Sequence, residues 1–133
     1  MEFRIYLRAE GRVSDCSQAL LEFASRIDGH IPGMLRRRKH DGSPLTLGLL
    51  DYWMSDEVRV TSGRPEDRLL TMLESYEPAL TAAVSGLAVD FSAQIVVEYC
   101  DGEEPFGFFL DSPLLKLLVK IGATLDVDAM QVG

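Results

Sequence analysis

The sequence predicts an α+β domain in which helices cover one face of a four-stranded, mainly antiparallel or mixed sheet. Two kinds of pattern lead to this prediction. In some segments every second residue is apolar, as in strands with one buried face, and in others apolar residues lie three or four positions apart, as in amphipathic helices. The two kinds alternate in the order β-α-β-α-β-α-β. At 133 residues, 47% of them hydrophobic, residues 1–133 are expected to form one domain with its own core.

The first half of the chain contains two predicted strands and one helix. Residues 2–9 alternate and predict a strand. The helix that follows has Ser14 as its expected N-cap and ends at Gly29. Residues 30–48 are rich in glycine and proline and are expected to be mostly loop. Residues 49–55, LLDYWMS, form a short apolar run with aromatic residues, which predicts a second strand.

The second predicted helix begins near Pro65, which suits a first helical turn, and two acidic residues follow it at the positive end of the helix dipole. Pro78 should end or kink this helix, yet the apolar periodicity continues to Leu87. Residues 90–99 then show the clearest alternation in the chain. They predict the third strand.

The last two elements are a short helix and a strand. The helix is expected in DSPLLKLLVKIG, with Gly122 as its stop. The strand TLDVDAM then closes the chain. Its apolar residues Leu125 and Val127 are expected to point inward, and its carboxylates Asp126 and Asp128 outward.

This order of amphipathic elements is typical of a ferredoxin-like sandwich. In the usual strand order of that fold, the first strand is central, between the third and the fourth. Arg4 and Arg8 on the first strand would then lie on the open face among Asp126, Asp128, Asp90 and Glu98. They would neutralise Asp126 and Asp128 in cross-strand pairs worth a few tenths to about 1 kcal/mol each. The alternative for these two carboxylates, which share one face, is a weak metal or acid–base site of a small metal-dependent hydrolase.

The net charge of -8 is unevenly distributed. Residues 1–65 hold ten Arg and Lys against nine Asp and Glu, whereas residues 66–133 hold three against twelve. An acidic half attracts a basic protein and repels a polyanion, so we expect a protein partner and no nucleic acid. We expect no membrane partner, because no apolar run approaches the ~20 residues that span a bilayer. The chain does not start like a signal peptide, which favours the cytoplasm.

The stretch MLRRRKHDG places four cations in a row inside this acidic chain. In a loop or a short edge strand, such cations prevent sheet-to-sheet aggregation. They could instead dock an acidic protein surface, hold nucleic acid weakly without reading its sequence, or lie across the acidic half of a second copy in a homodimer. The four candidates are Arg36, Arg37, Arg38 and Lys39.

A second candidate partner site is the loop DGEEP. Its three acidic residues, Asp101, Glu103 and Glu104, suit a cationic partner, although solvated charge is the simpler interpretation. The sequence contains no motif for a zinc site, nucleophilic catalysis or phosphate binding. His30 and His40 lack zinc-ligand spacing, Cys16 and Cys100 look like core residues, and neither a nucleophile elbow nor a phosphate-binding glycine loop occurs. No cofactor is therefore expected.

The C-terminal stretch FGFFLDSPLLKLLVKIGATLDVD resembles the closing signature of an uncharacterised bacterial family, domain of unknown function 4279. The segments GHIPGMLRRRKHDG and LLTMLESYEPAL and the strand with Trp53 also resemble that family's pattern. This chain departs from the family pattern at Asp111, which lies between the leucine and the serine of that closing signature. The family has no established activity, so the resemblance implies no catalytic residue.

Some small acidic bacterial domains of this general type look like immunity proteins, which neutralise a toxin by binding it. That is an analogy of size, charge and compactness. The sequence thus favours a non-enzymatic protein-binding module, with toxin neutralisation as its most specific form, over the hydrolase alternative.

Overall fold

The computed structural model describes residues 1–11, 17–36, 52–103 and 107–132. Within these residues the chain is α+β, as predicted, with three helices and six strands in one open mixed sheet. In chain order the elements are β1 (Glu2–Gly11), α1 (Ser17–Ile27), β2 (Gly33–Arg36), β3 (Tyr52–Ser55), β4 (Val58–Val60), α2 (Pro65–Val84), β5 (Val89–Tyr99), α3 (Ser112–Ile121) and β6 (Ala123–Gln131). The expected helix cap Ser14 lies outside the described residues.

The order of the strands in the sheet is β2-β3-β1-β5-β6, and β4 also pairs with β1. All pairs are antiparallel except β5 and β6, which are parallel. The first predicted strand therefore lies between the second and the third, not between the third and the fourth as in the ferredoxin-like order. The reason is the β5-α3-β6 unit, because a single short helix returns the chain directly beside the strand it left.

Strands β3 and β4 are two parts of one irregular strand along β1. Arg8 pairs with Met54 and Phe3 with Val60, so the pairing shifts by one residue between them. Such a shift is a β-bulge. Next to it, the Leu7 amide donates a 2.8 Å hydrogen bond to the hydroxyl of Ser55. The strand predicted to end at residue 55 thus resumes at Val58–Val60.

The core lies between the helices and one face of the sheet. Phe3, Ile5, Leu7 and Ala9 are each at most 5% exposed, which confirms the alternation predicted for β1. Trp53 on β3 is also buried. Its ring meets Phe23 of α1 edge-on at a centroid distance of 5.2 Å. Its indole leaves no room for a side chain at Gly33 of β2, since a Cβ there would lie 2.4 Å from Trp53 Cζ2.

The predicted signals of α2 and α3 hold with one difference. Helix α2 runs through Pro78 without interruption. Pro78 and Glu74, four residues earlier, are both exposed, so water can satisfy the carbonyl that loses its donor. Helix α3 is capped by Asp111, whose carboxylate accepts from the Leu114 amide at 3.3 Å, and it ends at Gly122 with a φ of 81°.

Candidate functional site

The arginines of β1 pair with acidic residues near their own strand. Arg4 forms ion pairs with Glu57, at 3.0 Å, and with Glu98. It reaches β6 only at the sulfur of Met130, at 3.7 Å. The expected neutralisation of Asp126 and Asp128 by Arg4 is therefore wrong, because β5 separates β1 from β6.

Arg8 likewise forms no pair with β6. Its guanidinium pairs with Glu10 and lies 4.5 Å from the centroid of the Tyr52 ring. Between the two arginines, burial raises the pKa of Tyr6, with Glu57 and Asp128 adding to the effect and Arg8 and Arg4 opposing it. A phenol with a raised pKa stays protonated at neutral pH, so Tyr6 cannot act as a general base there.

Asp126 and Asp128 lie exposed on β6. Asp126 accepts a 2.9 Å hydrogen bond from the amide of Gln94, which also donates to Ser92. Across the described parts of the chain, no group of three or more His, Cys, Asp and Glu side chains could hold a metal ion. The two carboxylates therefore have no third ligand among those residues.

The basic tract is described only at its first residue. Arg36 ends β2, is exposed, and makes no ion pair or side-chain hydrogen bond with another described residue. Because β2 lies at one edge of the sheet that the described strands form, Arg36 fits the edge-strand interpretation of the tract. Arg37, Arg38 and Lys39 lie outside the described residues, as do Glu104, His40 and Cys16.

In the acidic turn, the loop with Asp101 and Glu103, one acidic residue is exposed and the other is paired. Asp101 is exposed. Glu103 pairs with the amino group of Met1 at 2.8 Å and accepts from the Cys100 amide at 2.8 Å. The hydrogen bond to the amino group lowers the pKa of Glu103 and raises that of the amino group. Cys100 is exposed, so the expectation that it belongs to the core is wrong.

Strand β6 forms the other edge of the sheet, where β5 is its sole strand partner among the described residues. Val127 is 41% exposed, although its register partner Ile95 is 1% exposed on the same face. Met130 is 48% exposed on the opposite face. This edge therefore presents apolar side chains and carboxylates together.

Helix α3 adds two apolar side chains to this edge. Leu115 and Val119, one helical turn apart, are 45% and 80% exposed. Lys120 faces α2, since it pairs with Glu77 at 3.1 Å. At 100° per residue, Leu115 lies on the flank of the buried stripe opposite to Lys120, and Val119 points farther from the stripe, into solvent. We call Leu115, Val119, Asp126, Val127 and Asp128 the β6–α3 surface. It wraps around the strand edge, since Asp126 and Asp128 point to the face opposite to Val127 and α3.

The acidic turn continues this surface at one end. Tyr99, the last residue of β5, pairs with Gln131 at the end of β6, and the Val132 amide donates to the Tyr99 carbonyl at 2.8 Å. Asp101 follows two residues later. The sequence pattern predicted the faces of β6 and the acidic turn, but it could not predict that they lie together.

A buried carboxylate that the sequence reasoning missed lies at the start of α2. Glu66 is 3% exposed, and its Oε2 accepts from the Phe109 amide at 2.8 Å and from Arg64 at 2.9 Å. Burial acts to raise its pKa, but these hydrogen bonds outweigh burial, and the pKa of Glu66 is lowered. The signal in the sequence was Arg64-Pro65-Glu66 at a helix start.

No family model matches this chain, and searches of curated proteins and of solved structures gave no significant match. The resemblance to domain of unknown function 4279 therefore stays a prediction from the quoted residues. Among the described helices, none is both long and apolar enough to cross a membrane.

Proposed function

We propose that this chain is a non-enzymatic protein-binding module and that a basic protein docks on the β6–α3 surface. Its most specific form is an immunity-type protein that neutralises a bacterial toxin. One observation carries the proposal. Val127 and the α3 residues Leu115 and Val119 leave apolar groups exposed on one face, and Asp126 and Asp128 are exposed on the opposite face of the same strand edge, which has no partner among the described residues.

Charge supports a basic partner. Asp126 has a neutral hydrogen-bond partner, Gln94, and neither Asp126 nor Asp128 forms an ion pair with a described residue. Residues 66–133 carry three cations against twelve acidic residues. A field of this sign speeds the encounter with a cationic surface, and more strongly at low salt.

The form of the surface supports a protein rather than a small ligand. An unpaired strand edge offers backbone donors and acceptors that an extended segment of a partner can pair with. Charged residues on an edge also prevent self-association. That role accounts for Asp126 and Asp128 but not for Leu115 and Val119, which are exposed on the helix that covers the other face.

The basic tract that begins at Arg36 belongs to a different contact in this proposal. Strands β2 and β6 are the two edges of the sheet, separated by four strand spacings, or about 19 Å. A homodimer that joined the basic edge of one copy to the acidic edge of another would be heterologous and would leave one edge free at each end. Such a contact produces open chains, which light scattering during size-exclusion chromatography distinguishes from a closed dimer.

The test is capture of the partner at low salt, followed by affinity measurements with paired variants. Asp126→Asn with Asp128→Asn removes two charges, and the side-chain carbonyl introduced at position 126 still offers an acceptor to Gln94. The matched control, Asp28→Asn with Glu74→Gln, removes two charges from exposed residues that make no ion pair in the described chain. We expect the first pair to weaken binding by about tenfold or more and the control to leave it nearly unchanged.

The proposal fails if both pairs of substitutions change the affinity equally, since the charge effect would then be unspecific. It also fails if no protein binds at low salt. Affinity for the same captured partner also tests the basic tract, because Arg36→Glu should weaken binding only if the tract is part of the interface.

A further inference from the structure

The backbone of β6 points hydrogen-bonding groups to the edge away from β5, and its pairing shows which residues they belong to. The Val132 amide donates to the Tyr99 carbonyl, and the register between β5 and β6 runs without interruption up to Tyr99 and Gln131. In a strand, the amide and carbonyl of one residue point to the same side, and that side alternates from residue to residue. The even-numbered residues of β6 therefore bond to β5, and the odd-numbered ones point outward.

The other side of β5 agrees with this direction. The Leu7 amide donates to the Ser55 hydroxyl of β3, away from β5. The even-numbered residues of β1 therefore bond to even-numbered residues of β5, as Tyr6 does with its register partner Gln94. The odd-numbered residues of β5 are left to bond with β6. The residues of β6 that present backbone donors and acceptors at the outer edge are thus Leu125, Val127, Ala129 and Gln131.

The side chains along this edge differ between the two faces of the sheet. Asp126 and Asp128 are exposed on the open face, and neither forms an ion pair with a described residue. On the opposite face, Val127 is 41% exposed. Above it, Leu115 of α3 is 45% exposed on the flank that faces away from α2. The edge therefore combines uncompensated negative charge on one face with uncovered apolar groups on the other.

A partner contacts both faces at once when it straddles the edge. A surface laid flat on the open face reaches the two carboxylates but not Val127, and a surface laid on α3 reaches Leu115 but not the carboxylates. An added strand has side chains on both faces and also pairs with the outward backbone groups. Cross-strand neighbours share a face in parallel and antiparallel ladders alike, so each face of the added strand meets one kind of side chain.

We propose that the partner of the β6–α3 surface adds an extended segment to the outer edge of β6, in which basic and apolar residues alternate over about seven positions. Its basic side chains lie beside Asp126 and Asp128, and its apolar side chains lie beside Val127 and Ala129. This inference rests on the proposed function, because it names the part of the basic partner that binds.

The test titrates the full chain at low salt with two capped peptides of equal length and composition, followed by amide chemical shifts. Lysine and valine alternate in the first peptide and stand in two blocks in the second. We expect saturable binding of the alternating peptide in the millimolar range or tighter, with shifts concentrated in residues 123–131, and about fivefold weaker binding of the block peptide. Equal affinities, or no saturable binding of the alternating peptide, would overturn the proposal.

Two N-methylated forms of the alternating peptide test the backbone pairing, one methylated at its lysines and the other at its valines. The amides of an added strand point to β6 at every second residue, so one set of methyl groups lies in the ladder and the other points away. Methylated valines block an antiparallel strand, and methylated lysines block a parallel one. We expect one form to lose binding and the other to keep it. Equal affinities of the two forms would show that the peptide does not pair with β6.

Variants of the chain separate this inference from the proposed function. Asp126→Asn with Asp128→Asn should weaken binding of the alternating peptide about three- to tenfold, and the control Asp28→Asn with Glu74→Gln should leave it nearly unchanged. Equal losses for the two pairs would overturn the inference. If the captured protein depends on the two β6 carboxylates but the two methylated peptides bind equally, the proposed function stands and strand addition fails.

Discussion

Ile95 and Val127 are neighbours across two parallel strands and point to the same face of the sheet, yet Ile95 is 1% exposed and Val127 is 41% exposed. The difference comes from the helix above them. Helix α3 precedes β6 directly and covers its beginning, where Ala123 and Leu125 are partly buried, while the rest of the strand is exposed. An alternating pattern therefore predicts which face a side chain joins, but not whether a helix covers it. Beyond the part of β6 that α3 covers, Val127 is left exposed.

The largest effect we expect comes from comparing two single truncations, one at Ile95 and one at Val127. Ile95→Ala should lower the free energy of unfolding by about 2–5 kcal/mol, because it leaves a cavity in a closed core. Val127→Ala should cost less than about 1 kcal/mol, since its side chain is already partly in water. Urea unfolding of both variants checks this, and equal costs would mean that β6 is covered as fully as β5.

The opposite edge of the sheet gives the next largest effect. Gly33→Ala should lower stability by about 1–3 kcal/mol, because the added Cβ would lie 2.4 Å from the buried ring of Trp53. Thermal unfolding checks it. Gly107→Ala is the control, since a Cβ there meets no atom within 4 Å. An unchanged melting temperature for Gly33→Ala would show that β2 does not pack on Trp53 in this way.

A smaller, pH-dependent effect is expected at Glu66. Its folded-state pKa is lower than its unfolded value of about 4.3, so its contribution to stability is complete above that pH and is lost as pH falls through the folded-state pKa. Glu66→Gln should cost about 1 kcal/mol at pH 7 and progressively less below about pH 4. Unfolding curves at pH 7 and pH 3 measure this, and an equal cost at both pH values would contradict it.

The smallest effect on stability belongs to the exposed flank of α3. Val119→Ser should change the free energy of unfolding by no more than about 0.5 kcal/mol, since its side chain is largely in water, and Leu115→Ser should cost about 1 kcal/mol or less, since its side chain is partly in water. The same variants should weaken partner binding. A large loss of stability would mean that these side chains already belong to the core, and would remove them from the proposed interface.

Local patterns predicted much of the fold. The alternation in β1 and β5, the spacing of apolar residues in α1 and α2, and the proline and glycine at the two ends of α3 predicted these elements. The strand order could not be predicted, because it depends on which distant strands pair. Strand β4 was missed because Val58–Val60 has only three residues, and a bulge separates it from β3.

The candidate sites were less predictable than the fold. The acidic residues of β6 were identified from the sequence. Their expected pairing with Arg4 and Arg8 was wrong, because the strand order decides which side chains can meet.

The most direct test of the docking surface is hydrogen exchange of the chain with and without the partner captured at low salt. The outer edge of β6 has no strand partner among the described residues, so its outward amides should exchange fast in the free chain. We predict that the bound partner slows amide exchange in residues 123–131, because its added strand or side chains would cover these amides. Protection confined to residues 33–36 on the opposite edge, with none in β6, would contradict it.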